Sequence, residues 1–216
     1  MKLLKKEFAL CMHPMGIIMP LLSALVLVPG YPYGVSCFYV GLAVYFISLE
    51  ARENHDAAYT LTLPVSRADA VKARILFCAL LEIGQLILMG VFVIIKYAIG
   101  FVENPAGLDA GVALIGEGFV LYAIFNMIFF PMYYRDINKP GSAFLWAGAA
   151  MFLWIAAEVV STYAVPFVHN CLDQADPAYM REKALFTLGG FALFAAGTAR
   201  AVLASAKKFE AVDLSL

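Results

Sequence analysis

The stretch Ile75–Tyr97 reads ILFCALLEIGQLILMGVFVIIKY, and Glu82 and Lys96 are its only charged residues. A helix needs about 20 consecutive, mostly apolar residues to cross the hydrocarbon core of a bilayer. Because backbone polar groups in lipid must be hydrogen-bonded within the structure, this stretch is predicted to be a membrane-spanning helix. The fold class predicted from it is an all-α integral membrane protein.

Working outward from this stretch, similar apolar runs lie on both sides. From Phe8 to Leu49 the chain has no Asp, Glu, Lys or Arg, and the segment PGYPYG at 29–34 divides that run, since Pro and Gly interrupt helices. The first two spans are short, so they fit either thin spans or a re-entrant hairpin. About six spans are predicted, near residues 14–28, 34–49, 75–97, 111–133, 142–167 and 184–204.

The composition of the whole chain agrees with this interpretation. Of its 216 residues, 63% are apolar and 14% are charged, whereas soluble domains have about 45–50% apolar and about 25% charged residues. A soluble enzyme, a disordered protein and, with a net charge of −1, a nucleic-acid binder are therefore excluded. The chain is expected to form a single transmembrane domain over 1–216. Six spans would take about 120 residues, which leaves little room for an ATPase domain, so ATP-driven work would need a partner chain.

Lysine and arginine are unevenly distributed between the two sides of the predicted bundle. Twelve of the fifteen lie in segments of one side, and cytoplasmic loops are enriched in these residues. Both termini and the loops 50–74 and 134–141 are therefore predicted to be cytoplasmic. The loops 29–33, 98–110 and 168–183 are predicted to be outside.

The N-terminus carries three lysines within its first six residues, as a signal peptide would. A histidine and two prolines interrupt the apolar run that follows, and no A-x-A cleavage site is present. We instead predict an amphipathic interfacial helix over Met1–Met12. Its apolar face would hold Leu3, Leu4, Phe8 and Cys11, with Lys2, Lys5 and Lys6 opposite.

The loop Glu50–Arg74 is longer than two antiparallel spans need. Residues 50–61 are predicted to form a short helix on the membrane surface. Pro64 disfavours a helical conformation at Leu63, and Ser66 is a good N-cap with an acidic residue three positions later. We expect a surface helix, a rigid corner and a helix that begins outside the lipid, although composition alone also fits a solvated loop before a capped helix.

Two segments resemble a known family. The sequence LPVSR at 63–67, followed by AVKAR, resembles the loop between the second and third spans of small bacterial ABC (ATP-binding cassette) transporter permeases. The segment PMYYRDINK at 131–139 resembles that family's Pro-x-x-Tyr-(Lys/Arg) segment, except that Asp-Ile-Asn replaces an expected glycine and basic residues. With the six spans and the basic N-terminus, the resemblance covers most of the chain.

The resemblance implies the permease subunit of an ABC exporter of the second class, in a bacterial cytoplasmic membrane. Such a subunit moves an amphipathic substrate, such as a peptide, while separate ATPase subunits bind ATP and magnesium. Two permease copies would pair, each with one ATPase, and this chain has no G-x-x-x-x-G-K-[ST] phosphate loop of its own. Residues implied in docking and coupling are Glu50, Arg52, Glu53, Asp56, Tyr59, Leu63, Pro64, Ser66 and Arg67.

Three acids, Glu82, Glu117 and Glu158, lie within the predicted spans, where charges are costly and mark functional sites by default. In one interpretation Lys96 pairs with Glu117 or Glu158, and Glu82 pairs locally or turns toward the inner interface. In the other, one or more acids line the transport path. A proton-coupled secondary transporter using the three acids and a non-transporting scaffold are the alternative functions.

No catalytic or metal site is predicted. The three histidines are far apart in the chain and no H-E-x-x-H motif occurs. The four cysteines form no C-x-x-C pair and read as small apolar residues. A disulfide could join only Cys37 and Cys171, the two expected near the outer face.

Overall fold

The computed structural model describes residues 2–212. Helix makes up 79% of the structure and the described residues contain no strand, which confirms the all-α membrane fold. The helices are α1 Lys2–Leu10, α2 Met15–Leu21, a 3-10 helix Leu22–Leu27, α3 Val35–Glu53, α4 Asp56–Thr62, α5 Arg67–Ile99, α6 Val112–Tyr133, α7 Pro140–Ala164, a π-helical turn Val168–Leu172 and α8 Met180–Glu210.

Five of these helices, α3, α5, α6, α7 and α8, are long and apolar enough to cross a membrane. They correspond to the predicted second to sixth spans. α5 and α8 extend beyond the predicted bounds, because their polar ends continue the helix; at the start of α5 a capping residue sets the boundary. For α5 that residue is Ser66, whose hydroxyl accepts a hydrogen bond from the Asp69 amide.

The first predicted span is not a continuous α-helix. α2 carries Pro20 within it and passes into the 3-10 helix, as expected where proline removes a backbone donor. The segment Met15–Leu27 is bent by 81° from α1, so this region is a broken span or a re-entrant element. Counting it as one span gives six in total.

α6 lies at the centre of the bundle and packs against α3, α5, α7 and α8. Its crossing with α8 is the closest, because glycines meet there. A Cβ added to Gly190 would lie 2.4 Å from the Gly116 carbonyl oxygen, and one added to Gly116 would lie 2.8 Å from Thr187 Cα. Small residues at such crossings let membrane helices approach closely. The outer faces of α7 and α8 are largely uncovered and apolar, as lipid contact requires.

The bundle has two ends, which differ in charge. The basic end holds α1, α4, the segment 134–139 and the C-terminal turn of α8; there the Arg52 side chain donates to the Asn138 carbonyl at 3.3 Å. The distal end holds the segments 28–34, 100–111 and 165–179, joined for example by the Asp109 amide and the Asp173 carboxylate at 2.8 Å. The loops predicted to share a side therefore do lie together.

α1 confirms a helix at the N-terminus, and Lys5 is exposed as predicted, although Lys6 and Glu7 turn toward the protein. Glu7 is buried and Lys6 is half-buried, whereas Phe8 and Leu10 are exposed. The reason is a set of opposite charges on α4 and α5, described below. Met1 and the side chain of Lys2, which the prediction included, lie outside the described residues.

Candidate functional site

The surface helix predicted at residues 50–61 is shorter than expected. α3 continues to Glu53, so Glu50, Arg52 and Glu53 belong to the end of a span and not to the surface helix. The chain then breaks at Asn54-His55, where His55 adopts a left-handed conformation (φ 49°). Such a conformation ends a right-handed helix, and α4 begins immediately after it, at Asp56.

The predicted corner and cap are confirmed. Leu63, before the proline, is extended with φ −79° and ψ 154°. The Ser66 hydroxyl accepts from the Asp69 amide at 3.0 Å and donates to the Asp69 carboxylate at 2.7 Å. α5 therefore starts at Arg67 and runs without interruption to Ile99.

A buried ion-pair cluster (Lys6, Glu7, Asp56 and Arg74) fastens α4 to its neighbours. Arg74 on α5 donates to Asp56 at 2.6 Å and to the Glu7 carboxylate on α1. Lys6 donates to Asp56 at 2.6 Å and to the Thr60 hydroxyl at 2.7 Å. Three helices are thus joined through Asp56, a residue that the resemblance implied in docking.

The carboxylates of Glu7 and Asp56 also lie close to the Cys11 thiol, with the three ligand atoms within 4.8 Å of one another. A metal ion could use such a set in principle. Here Arg74 and Lys6 already supply the cations that the two carboxylates need. The cluster is therefore an ion-pair network.

Arg67 joins the corner to a fourth helix. Its guanidinium donates to the backbone carbonyls of Phe209, Glu210 and Val212 at 2.9, 3.2 and 2.7 Å. It also lies 5.6 Å from the centre of the Phe209 ring. Carbonyls at a helix C-terminus lack partners and attract cations, so the corner and the end of α8 are held as one unit.

The remaining residues implied in docking differ in exposure. Tyr59 is 53% exposed, and the side chains of Glu53, Pro64 and Ser66 are also exposed. Glu50, Arg52 and Leu63 are half-buried. A partner at the basic end would therefore meet the exposed side of α4 and the tip of the corner, while Asp56 and Arg67 serve the internal connections.

Glu82 lies in the middle of the bundle and is fully buried. One of its carboxylate oxygens accepts from the Asn126 amide at 2.9 Å, and Asn126 also donates to Thr198 at 3.1 Å. The second Glu82 oxygen and the Asn126 carbonyl oxygen have no partner among the described residues. Glu82 thus has a local partner, but that partner is neutral.

Glu117 and Glu158 lie nearer the distal end. Neither Glu117 oxygen has a hydrogen-bond partner among residues 2–212, although the side chain is buried. Glu158 accepts from the Leu108 amide at 2.6 Å and from the Thr162 hydroxyl at 3.2 Å.

The predicted pairing of Lys96 with one of these acids is wrong. Its ammonium group donates to the Tyr33 hydroxyl at 2.5 Å and lies 4.7 Å from the centre of that ring. Tyr33 occupies the space beside Lys96, while Glu158 is bound by the Leu108 backbone and Glu117 lies against Gly34. None of the three acids therefore has a cationic partner among the described residues.

Gln85 and Asn126, which were not predicted as site residues, complete the polar interior. Gln85 donates to the Ser23 hydroxyl at 2.8 Å and accepts from the Tyr122 hydroxyl at 2.8 Å. The spacing from Glu82 to Gln85 places both side chains on one face of α5. That spacing is the sequence signal from which Gln85 could have been predicted to join Glu82.

Loop carboxylates organise the distal end. Asp176 accepts from the Val112 amide at 3.0 Å, at the start of α6, and from Lys183 at 2.7 Å. Asp173 accepts from the Asp109 amide, and burial raises the pKa of Asp173 to about 6. The possible disulfide does not form: Cys37 and Cys171 are free, and Cys37 is buried beside Gln85.

Comparison with known proteins gives one finding. A family model described as ABC-2 family transporter protein matches residues 2–196, most of the chain. No curated protein and no solved structure matches. The match includes α1, α4, the corner and the interior acids.

Proposed function

The chain belongs to the ABC-2 family of transporter proteins and is a membrane permease of an ABC transporter, and from that premise we propose that it is the permease of an exporter. Its substrate is amphipathic, such as a peptide, and its energy comes from ATP and magnesium bound to a separate ATPase chain. The observation that carries the proposal is the family match over 2–196. Two copies pair in a bacterial cytoplasmic membrane, each with one ATPase, and the basic end faces the cytoplasm.

The ATPase docks on the exposed side of α4 and the corner. Two features of the basic end support this assignment. The ion-pair cluster ties α4 to α1 and α5, and Arg67 ties the corner to α8. A displacement of α4 by the ATPase would therefore pass directly to spans, without a flexible linker between them.

The interior acids line the translocation path. A buried carboxyl group without a partner is costly, and Glu117 is such a group in the described structure. The cost is offset if the group meets a cationic part of the substrate, or water, in another conformation of the transport cycle. Glu82 and Glu158 have only neutral partners, so they suit the same role.

Co-purification from native membranes tests the proposal. The tagged permease is expected to recover an ABC ATPase, and Glu53→Lys or Pro64→Gly is expected to reduce that recovery. Glu103→Lys is the matched control, because Glu103 is also exposed but lies at the distal end. Absence of any nucleotide-binding subunit from the native complex would overturn the exporter assignment.

A further inference from the structure

A groove of about 800 Å³ opens at the basic end, beside the ion-pair cluster. α4 forms one wall through Ala57 and Ala58, and the C-terminal turn of α8 forms another. The third wall is Tyr133, the last residue of α6, with the segment 135–138 that follows it. The small alanine side chains leave the space open, and the side chains of Tyr133 and Ile137 make part of its lining apolar.

Two of the cationic side chains that line this groove have no ion-pair partner among the described residues. Arg135 and Lys208 line it with exposed side chains, and neither makes an ion pair within residues 2–212. Arg52, at the same rim, lies 3.6 Å from Glu53. The acid in the lining, Asp136, is engaged by Lys139 at 3.3 Å.

The two sides of α4 therefore differ in charge balance. On the inner side, Asp56 and Glu7 neutralise Arg74 and Lys6. On the groove side, the lining holds three cations, Arg52, Arg135 and Lys208, and one acid, Asp136, so its described side chains carry a net positive charge. Complementary charge favours fast encounter and selects the partner that binds such a surface.

We propose that the groove binds an acidic segment of the partner ATPase that also carries apolar side chains. The inference rests on the proposed function and names the recognition element within it. Acidic side chains of that segment pair with Arg135 and Lys208, and its apolar side chains rest on Ala57, Ala58 and Ile137. The groove and the docking surface at Tyr59 both use residues of α4, so one partner can contact both.

The test measures the affinity of the ATPase for full-length permease in nanodiscs, at several salt concentrations. The double variant Arg135→Glu/Lys208→Glu is expected to bind about tenfold more weakly than the wild type, with a weaker dependence of affinity on salt. The matched control is Lys5→Glu/Lys72→Glu, which reverses two exposed charges of the same end outside the groove. It is expected to bind as the wild type does.

The possible outcomes separate the inference from the proposed function. If the wild type recovers no ATPase, the proposed function itself fails. If the wild type binds an ATPase and the groove variant binds equally well, or the control loses as much affinity, only the groove inference is overturned. Native mass spectrometry adds a further arm: if the groove variant loses bound phosphatidylglycerol but keeps its ATPase affinity, the groove is an anionic-lipid site and the inference is wrong.

Discussion

Arg74 on α5 connects three helices of the basic end. Its guanidinium is buried and bonds to carboxylates on two other helices. A buried ion pair adds little net stability by itself, but removal of one partner leaves an uncompensated buried charge. Removal of one member of the cluster is therefore expected to cost more stability than the intact cluster contributes.

We expect Arg74→Met to lower the free energy of unfolding by about 3–5 kcal/mol, because Glu7 and Asp56 would lose their main partner. Thermal or denaturant unfolding of the purified protein in detergent measures this. Lys72→Met, two residues earlier and exposed, is the matched control and should stay within about 0.5 kcal/mol of the wild type. Equal stability of the two variants would contradict the structural role of the cluster.

Asp173 gives the distal end a pH dependence. Its pKa is raised from the usual 3.8 to about 6, mainly by burial. Between these values the folded state holds a proton that the unfolded state has released, so stability falls as pH rises through this range and is constant above it. Asp109, Glu103 and His169 are the charged groups that face Asp173.

Amide exchange at Asp109, whose N–H donates to Asp173, reports this change. Protection factors, which correct for the intrinsic pH dependence of exchange, are expected to decrease from pH 4 to pH 6. In Asp173→Asn that decrease should be smaller, because the titration of Asp109, whose pKa burial also raises, remains. A wild-type protection factor that rises over the same interval would contradict the assignment.

At the scale of elements, the crossing of α6 and α8 depends on the absence of side chains. A Cβ at Gly190 would meet the Gly116 carbonyl, whereas one at neighbouring Gly189 would meet nothing within 4 Å. The two glycines therefore form a matched pair on one helix.

Gly190→Leu is expected to destabilise the bundle by about 1–3 kcal/mol or more, since overpacking forces the helices apart. Gly189→Leu should be neutral or slightly stabilising, because leucine favours helix more than glycine does. Thermal unfolding of the two variants in the same detergent compares them directly. A similar loss in both would show that helix propensity, and not the crossing, governs this site.

Local signals predicted elements well and their mutual contacts poorly. The Ser66 cap and the Leu63-Pro64 corner follow from a few neighbouring residues, and the structure has both. The predicted start of the surface helix was wrong, because the left-handed conformation of His55 has no sequence signal of its own. The predicted partner of Lys96 was wrong, because the sequence of an apolar span does not indicate which neighbouring helix each of its faces contacts.

At the scale of the whole molecule, the surface elements of the basic end are connected to the membrane spans, and the spans are connected to one another. α4 is joined to α1 and α5 by the ion-pair cluster and the corner to α8 by Arg67, while α6 packs along α8 through glycines. The family identity of the chain implies an ABC ATPase partner, and the docking site proposed for it lies at this end. The central claim is that the partner acts on α4 and the spans respond.

Photo-crosslinking in intact cells tests that claim most directly. A photoreactive phenylalanine analogue replaces Tyr59 on α4, or Tyr179 at the distal end as the control; the two tyrosines are 53% and 51% exposed. The account predicts an adduct between the Tyr59 position and an ABC ATPase, and none from the Tyr179 position. An ATPase adduct from Tyr179 with none from Tyr59 would contradict both the docking surface and the orientation of the bundle.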